Sequence, residues 1–161
     1  MGVPKAFARG ATAPRGTGSR GASAGGGGWV DVLRDVPLFE GVSDRHLRKI
    51  AGLGTIAAHG PGSTIVRKGD DGDACYVLLE GRADVVLGRG RPGAPMQPGA
   101  VFGEMALLDG APRSASIVAV TDVVLFRLGR AKFAKLLRSE PSVALALLKT
   151  LAARLRAIQG A

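Results

Sequence analysis

From Gly54 to Arg127 the chain is a succession of short β-rich runs, each cut off within a few residues by Gly, Pro or Asp. The runs are TIAAH at 55–59, STIVRKG at 63–69, ACYVLLEG at 74–81, RADVVLG at 82–88, SIVAVT at 116–121 and VVLFRL at 123–128, with a GRGRPG loop after the fourth. Strands this short and evenly spaced predict an antiparallel barrel or sandwich of jelly-roll type. Helical periodicity flanks them on both sides. WVDVLRDVPLF and SDRHLRKIAGL read as short helices separated by Pro37, with Ser43 as N-cap of the second. Two more close the chain, one near Arg130–Arg138 and one opening at Pro141, a residue suited to a first helical position, and running to about Gln159. The predicted class is mainly β with flanking α: an antiparallel β-roll, jelly-roll-like barrel, with N-terminal helices and two C-terminal helices.

The first 28 residues differ in kind. They hold nine Gly, two Pro, four basic residues and no acid, too little apolar surface to offset the entropy of ordering. Residues 1–28 are therefore read as a disordered Gly/Arg/Ala-rich tail and 29–161 as a single domain of ordinary size. The tail carries +4 of the formal +9, leaving +5 on the remainder, a moderate excess suited to a small anion and not in itself a nucleic-acid signal. The single cysteine, Cys75, lies in an apolar strand pattern and has no partner for a disulfide, so a buried core role and a reducing, cytoplasmic setting are expected. No apolar run reaches the 18 or so residues of a membrane span.

The stretch VFGEMALLDGAPRSAS at 101–116 carries the chemistry. Gly103 lets a ligand approach the backbone closely. A helix starting near Glu104 leaves its first amides, those of Met105 and Ala106 among them, without intrahelical partners. Arg113 adds a planar fork of donors matched to phosphate oxygens, and Ser114 and Ala115 add a hydroxyl and an unobstructed backbone N–H. Glu104 would repel an adjacent phosphate, so it suits a hydroxyl donor elsewhere on the same ligand. Phosphate on one side and ribose on the other describe a nucleotide. Against this stand two plainer readings: Arg113 as a surface partner of Asp109 or Glu104, and Glu104 as a first-turn acid.

Residues 102–116 resemble the phosphate-binding cassette of cyclic-nucleotide-binding domains, the sensor module of cAMP receptor proteins, kinase regulatory subunits and gated channels. PLFEGVS at 37–43, the glycines of IVRKGDDGD at 65–73, YVLLEGRADVVL at 76–87 and Gly99 fall where that family has them. The resemblance covers roughly residues 30–158. It implies that Glu104 takes the ribose 2′-hydroxyl, that Arg113 with Ser114 and Ala115 takes the cyclic phosphate, and that Gly103, Met105 and Ala106 complete the cassette. The ligand expected is cAMP, in preference to cGMP, with no further cofactor.

The last helix has Val143, Leu147, Leu151, Leu155 and Ile158 on one face. For Val143 and Leu147 this is packing. For Arg154, Leu155 and Ile158 the resemblance implies a lid over the purine, with Arg154 stacking on the base, while Val85 and Met96 would line the opposite wall. For these five an ordinary core or surface role is the competing reading. An enzyme is not expected: two histidines, His46 and His59, cannot build a multi-His metal centre, and GxSxG, HExxH, CxxC and a phosphate loop ending in Gly-Lys-Ser/Thr are absent. No metal site and no nucleic-acid-binding element is read. The resemblance implies output through a protein effector in trans or a homodimer; the alternative is a ligand-free interaction or dimerisation module of the same fold.

Overall fold

A computed structural model describes residues 22–23 and 28–160. Two antiparallel sheets form its centre. The first has five strands in the order β1 (Ala22–Ser23), β2 (Thr55–His59), β9 (Val123–Gly129), β4 (Ala74–Glu80) and β7 (Val101–Phe102). The second has four, in the order β3 (Thr64–Val66), β8 (Ser116–Ala119), β5 (Ala83–Val86) and β6 (Pro92–Met96). Helices α1 (Gly28–Arg34) and α2 (Asp44–Leu53) precede them, joined by a 3-10 turn at Pro37–Phe39. Helix α3 (Glu104–Asp109) lies between β7 and β8, and α4 (Arg130–Ser139) and α5 (Pro141–Gln159) follow β9.

The strand period of two explains how one sheet serves two cores. On β4, Ala74, Tyr76 and Leu78 face the second sheet and meet Ala83, Met96, Ile117 and Ala119 there. The alternate residues Cys75, Val77 and Leu79 face the helices and join Leu33, Phe39, Leu47, Phe133, Leu136, Val143 and Leu147. Strand β9 splits the same way, with Val123 and Leu125 between the sheets and Phe126 and Leu128 under the helices. A sheet covered on both faces needs the near-continuous apolar run that ACYVLL supplies. Among the described residues the two sheets exchange no strand pairing, so the sandwich stays open where the sequence reading allowed a closed barrel.

Local chemistry fixes the joints. The Ser43 hydroxyl accepts from the His46 amide at 3.3 Å and caps α2, as expected. His46 in turn lies 2.7 Å from Glu140, the residue between α4 and α5, which ties α2 to that junction. Gly81, at φ +85°, makes the turn by which the chain leaves the first sheet for the second; a side chain there would also run into the Asp122 carbonyl.

The GRGRPG segment departs from expectation. Only its start, at Gly88–Gly90, is a turn; Pro92–Met96 pairs with β5 as an edge strand. Two prolines and a glycine hide its strand character, and an edge is where proline's missing donor is tolerated. Most of the Gly-rich tail lies outside the described residues; of the part described, Ala22 and Ser23 pair with Ile56 and Thr55, and Gly28 opens α1.

Candidate functional site: a buried arginine and a buried carboxylate in one cassette

The cassette is built on a glycine. Gly103 takes φ +83°, closing β7 and opening α3, and its φ excludes most side chains. A Cβ there would stand 2.5 Å from Arg113 Nη1. Gly72 plays the matching part below, where a Cβ would stand 2.5 Å from that of Ala106. The two glycines let α3, the 69–73 loop and Arg113 close on one another.

Arg113 arrives from the loop after α3 and turns inward. Its amide donates to the Asp70 carbonyl at 2.8 Å, and its own carbonyl accepts from the Gly69 amide at 2.9 Å, which fixes its backbone against the 69–73 loop. Its guanidinium donates to the Gly103 carbonyl at 2.9 Å and to the Ala74 carbonyl at 2.8 Å. The side chain is 5% exposed, and its nearest carboxylate is Asp73, 3.7 Å away and itself exposed. Asp73 is shared with Arg127 at 3.3 Å. Two of the five guanidinium donors are thus spent on backbone carbonyls, and the buried charge has only an exposed, shared carboxylate within ion-pair distance among the described residues. The plainer reading, Arg113 as a solvated surface partner, does not survive its burial.

Glu104, the first residue of α3, is 1% exposed. Its Oε1 accepts from Arg154 of α5, whose guanidinium also donates to the Val101 carbonyl. Its Oε2 is buried and has no partner among the described residues. A carboxylate oxygen in that condition lacks a donor, and a ligand hydroxyl is one. The Arg113–Gly103 bond ties the guanidinium to the peptide that leads into Glu104.

The remaining expected residues distribute as follows. Ala106 is buried under Gly72, Met105 is 49% exposed, and between Arg113 and β8 Ser114 is exposed and Ala115 half-buried. Met96 and Val85 belong to the core between the sheets. Leu155 and Ile158 are exposed, at 55% and 78%, and cover nothing in this conformation. Arg154 is gathered into the site, but through Glu104 and Val101. The sequence reading included Gly72 only among the glycines of the 65–73 segment, and Asp73, Ala74 and Val101 carried no role in it. Three of them act through backbone carbonyls or a missing side chain, which residue type announces only weakly.

Cys75 sits in β4 behind this site, 2% exposed. Burial, aided by the Glu104 charge, pushes its thiol up to about 12. It should therefore resist alkylation in the native protein at pH 8, reacting roughly a hundredfold slower or more than in denaturant. Equal rates with and without denaturant would contradict the burial. Among the described residues no cluster of His, Cys, Asp and Glu is suited to hold a metal, and no helix is long and apolar enough to cross a membrane.

The sequence profile of the cyclic nucleotide-binding domain matches residues 58–140, from the end of β2 through α4 and across the whole cassette. The chain belongs to the cyclic nucleotide-binding domain family. Within that family it is 44% identical over 110 residues to a cAMP-dependent protein kinase regulatory subunit of Colletotrichum orbiculare, covering 68% of this chain and 28% of that one. In structure it resembles the Thermus thermophilus catabolite activator protein, with a TM-score of 0.71 and 36% identity over 76% of this chain and 60% of the other. It also resembles the regulatory domain of Toxoplasma gondii PKA crystallised with cAMP, with a TM-score of 0.68 and 27% identity over 78% of this chain and 49% of the other. The chain thus spans little more than a quarter of the length of the regulatory subunit it matches. The family profile ends before α5, so Arg154 lies outside the matched segment.

Proposed function

We propose that this domain binds a 3′,5′-cyclic nucleotide, cAMP in preference to cGMP, with the cyclic phosphate on Arg113 and the ribose 2′-hydroxyl on Glu104, and that binding alters how α5 sits on the cassette. The observation that carries this is the pair of incomplete groups: a buried guanidinium with donors to spare beside a buried carboxylate with one oxygen unfilled. One ligand that is anionic at one end and hydroxylated at the other completes both. A phosphate alone would leave Glu104 unanswered, and an uncharged sugar would leave Arg113 so. The cAMP preference draws on the names of the relatives, a cAMP-dependent kinase regulatory subunit and a domain crystallised with cAMP. By ligand-driven population shift, a change at the cassette would reach a protein partner, or a second copy, through α5.

Titration calorimetry with cAMP, cGMP and linear AMP tests this. Saturable binding is expected for cAMP, weaker for cGMP, and much weaker for AMP, whose open, doubly charged phosphate does not match a site holding one anionic ring. Glu104→Ala should weaken cAMP by about 1–3 kcal/mol, the range for a lost hydrogen bond to a charged group. Equal affinity for AMP and cAMP would sink the cyclic assignment; absence of binding with intact self-association would favour the ligand-free module.

A further inference from the structure

Helices α2 and α4 run alongside one another in opposite directions over the first sheet. His46, near the start of α2, meets Glu140 just past the end of α4. At the other end Thr55, which follows α2, pairs with Arg127, shortly before α4. Each helix spends its apolar side on the same core, α2 through Leu47, Ile50 and Ala51, α4 through Phe133 and Leu136. Their polar sides therefore face outward together, and those sides are cationic. Arg45, Arg48 and Lys49 stand on α2 and Lys132, Lys135 and Arg138 on α4, all of them exposed.

Among the described residues none of the six forms an ion pair. The two acids at hand are already engaged: Asp44 with Arg34 at 3.0 Å, and Glu140 with His46 at 2.7 Å. Arg130, which opens α4, differs from the six in donating to the Gly72 carbonyl. The six outnumber the net +5 of residues 29–161, so the rest of the domain is close to neutral and its excess charge sits on this face. Within each helix they recur three and four residues apart, the spacing at which like charges repel. No free acid among the described residues of either helix relieves that repulsion. An acidic partner would.

We infer that this face docks a short acidic segment of a protein partner, whose carboxylates lie across the six cations. The row Lys132, Lys135, Arg138 extends about 9 Å along its helix, the length of roughly three residues of extended chain. Its arginine and the two on α2 offer planar forks that take a carboxylate through two bonds, while the lysines add point charges. A nucleic-acid surface adds aromatic or amide side chains to such rows, for stacking or for contact with bases. The exposed sides of α2 and α4 carry none. A helix that lies on a lipid surface turns its apolar side to the membrane, whereas these two have buried theirs on the sheet. None of the six belongs to the cassette, so the inference is independent of the nucleotide reading and its test needs no nucleotide.

Fluorescence anisotropy on the full chain tests this, with a labelled Glu- and Asp-rich peptide of about a dozen residues and a counterpart in which Gln and Asn replace the acids. Saturable binding is expected for the acidic peptide alone, weakening by about tenfold or more as salt rises from roughly 0.05 to 0.3 M. The combined variant Lys132→Gln, Lys135→Gln, Arg138→Gln should lose about tenfold or more, and so should Arg45→Gln, Arg48→Gln, Lys49→Gln. Removing the same charge from the other sheet, by Arg67→Gln, Arg89→Gln, Arg91→Gln, should stay within about threefold of wild type. Both helix variants should melt no lower than wild type, because they remove repulsion. An equal loss in the control variant would reduce the effect to net charge and overturn the inference, as would equal binding of the two peptides. A Tm lowered by more than about 5 °C in the helix variants would show that these side chains serve the fold, with the same consequence. If duplex DNA or phosphatidylserine vesicles bind more tightly than the acidic peptide and lose that binding in the helix variants, the face serves nucleic acid or membrane and the inference falls.

Discussion

Arg113→Ala should lower cAMP affinity by about 3–5 kcal/mol, roughly a hundred- to a few-thousand-fold, while the apo domain stays folded. The size follows from what the substitution strands. A cyclic phosphate brought into this site would leave water for a place whose compensating charge is gone, and charge-assisted bidentate bonds are among the strongest a side chain makes. The apo fold should tolerate the change because the guanidinium is itself a burden there, buried against two carbonyls with its nearest carboxylate 3.7 Å away. Removing it costs two hydrogen bonds and relieves an under-compensated charge, and these oppose one another. Arg113→Lys keeps the charge but cannot bond Gly103, Ala74 and a phosphate in one plane, so an intermediate loss of about tenfold or more is expected. Thermal shift gives an independent readout: saturating cAMP should raise the Tm of the wild-type chain and leave that of Arg113→Ala unmoved. Calorimetry placing Arg113→Ala within threefold of wild type would remove the phosphate from Arg113 and with it the proposed pose.

Arg113 and Glu104 stood out in the sequence because a guanidinium and a carboxylate are side-chain chemistry, and the structure buries both in the one cassette. The carbonyls that aim Arg113 did not, since every residue has a carbonyl and only the fold decides which two converge. Arg154 shows the same limit from the other side. Its helical register was plain, yet the partner is Glu104, fifty positions earlier in the chain, and nothing in either local pattern announces a contact at that separation. Strands β4 and β9 were readable from their apolar runs. Strand β6 was not, because Pro92, Gly93 and Pro95 give a turn's composition to an edge that has only one neighbour to satisfy. Strand β7, two residues long, offers no period at all. On α5 the packing read for Val143 and Leu147 is what the structure has, and Leu151 adds a half-buried third. Beyond it the pattern continues in sequence while the surface it could pack on has ended, which is why Leu155 and Ile158 stand in solvent.

Phe126→Ala should be the most damaging single truncation in the domain, costing about 3–5 kcal/mol, with a fall in Tm of roughly 10–20 °C. Phe126 is fully buried on the helix-facing side of β9, paired across the central sheet with Val77 and Ile56. Its ring fills the space left by the missing side chain of Gly54, where any Cβ would collide with it. A cavity there has little means of closing, because one wall is the paired backbone of β2 and β4 and the other is the cluster that seats Phe133, Leu136, Val143 and Leu147. The last two hold the inner half of α5, so the substitution loosens the platform that brings Arg154 to Glu104 without touching either residue. The consequence for binding can therefore be separated from the loss of stability. At a temperature where Phe126→Ala remains folded, cAMP affinity should drop only severalfold, whereas Arg113→Ala at the same temperature should lose it by orders of magnitude. Stability is measured by denaturant or thermal melts, and a change below 1 kcal/mol would show that the helix layer rests on the sheet elsewhere than at this ring.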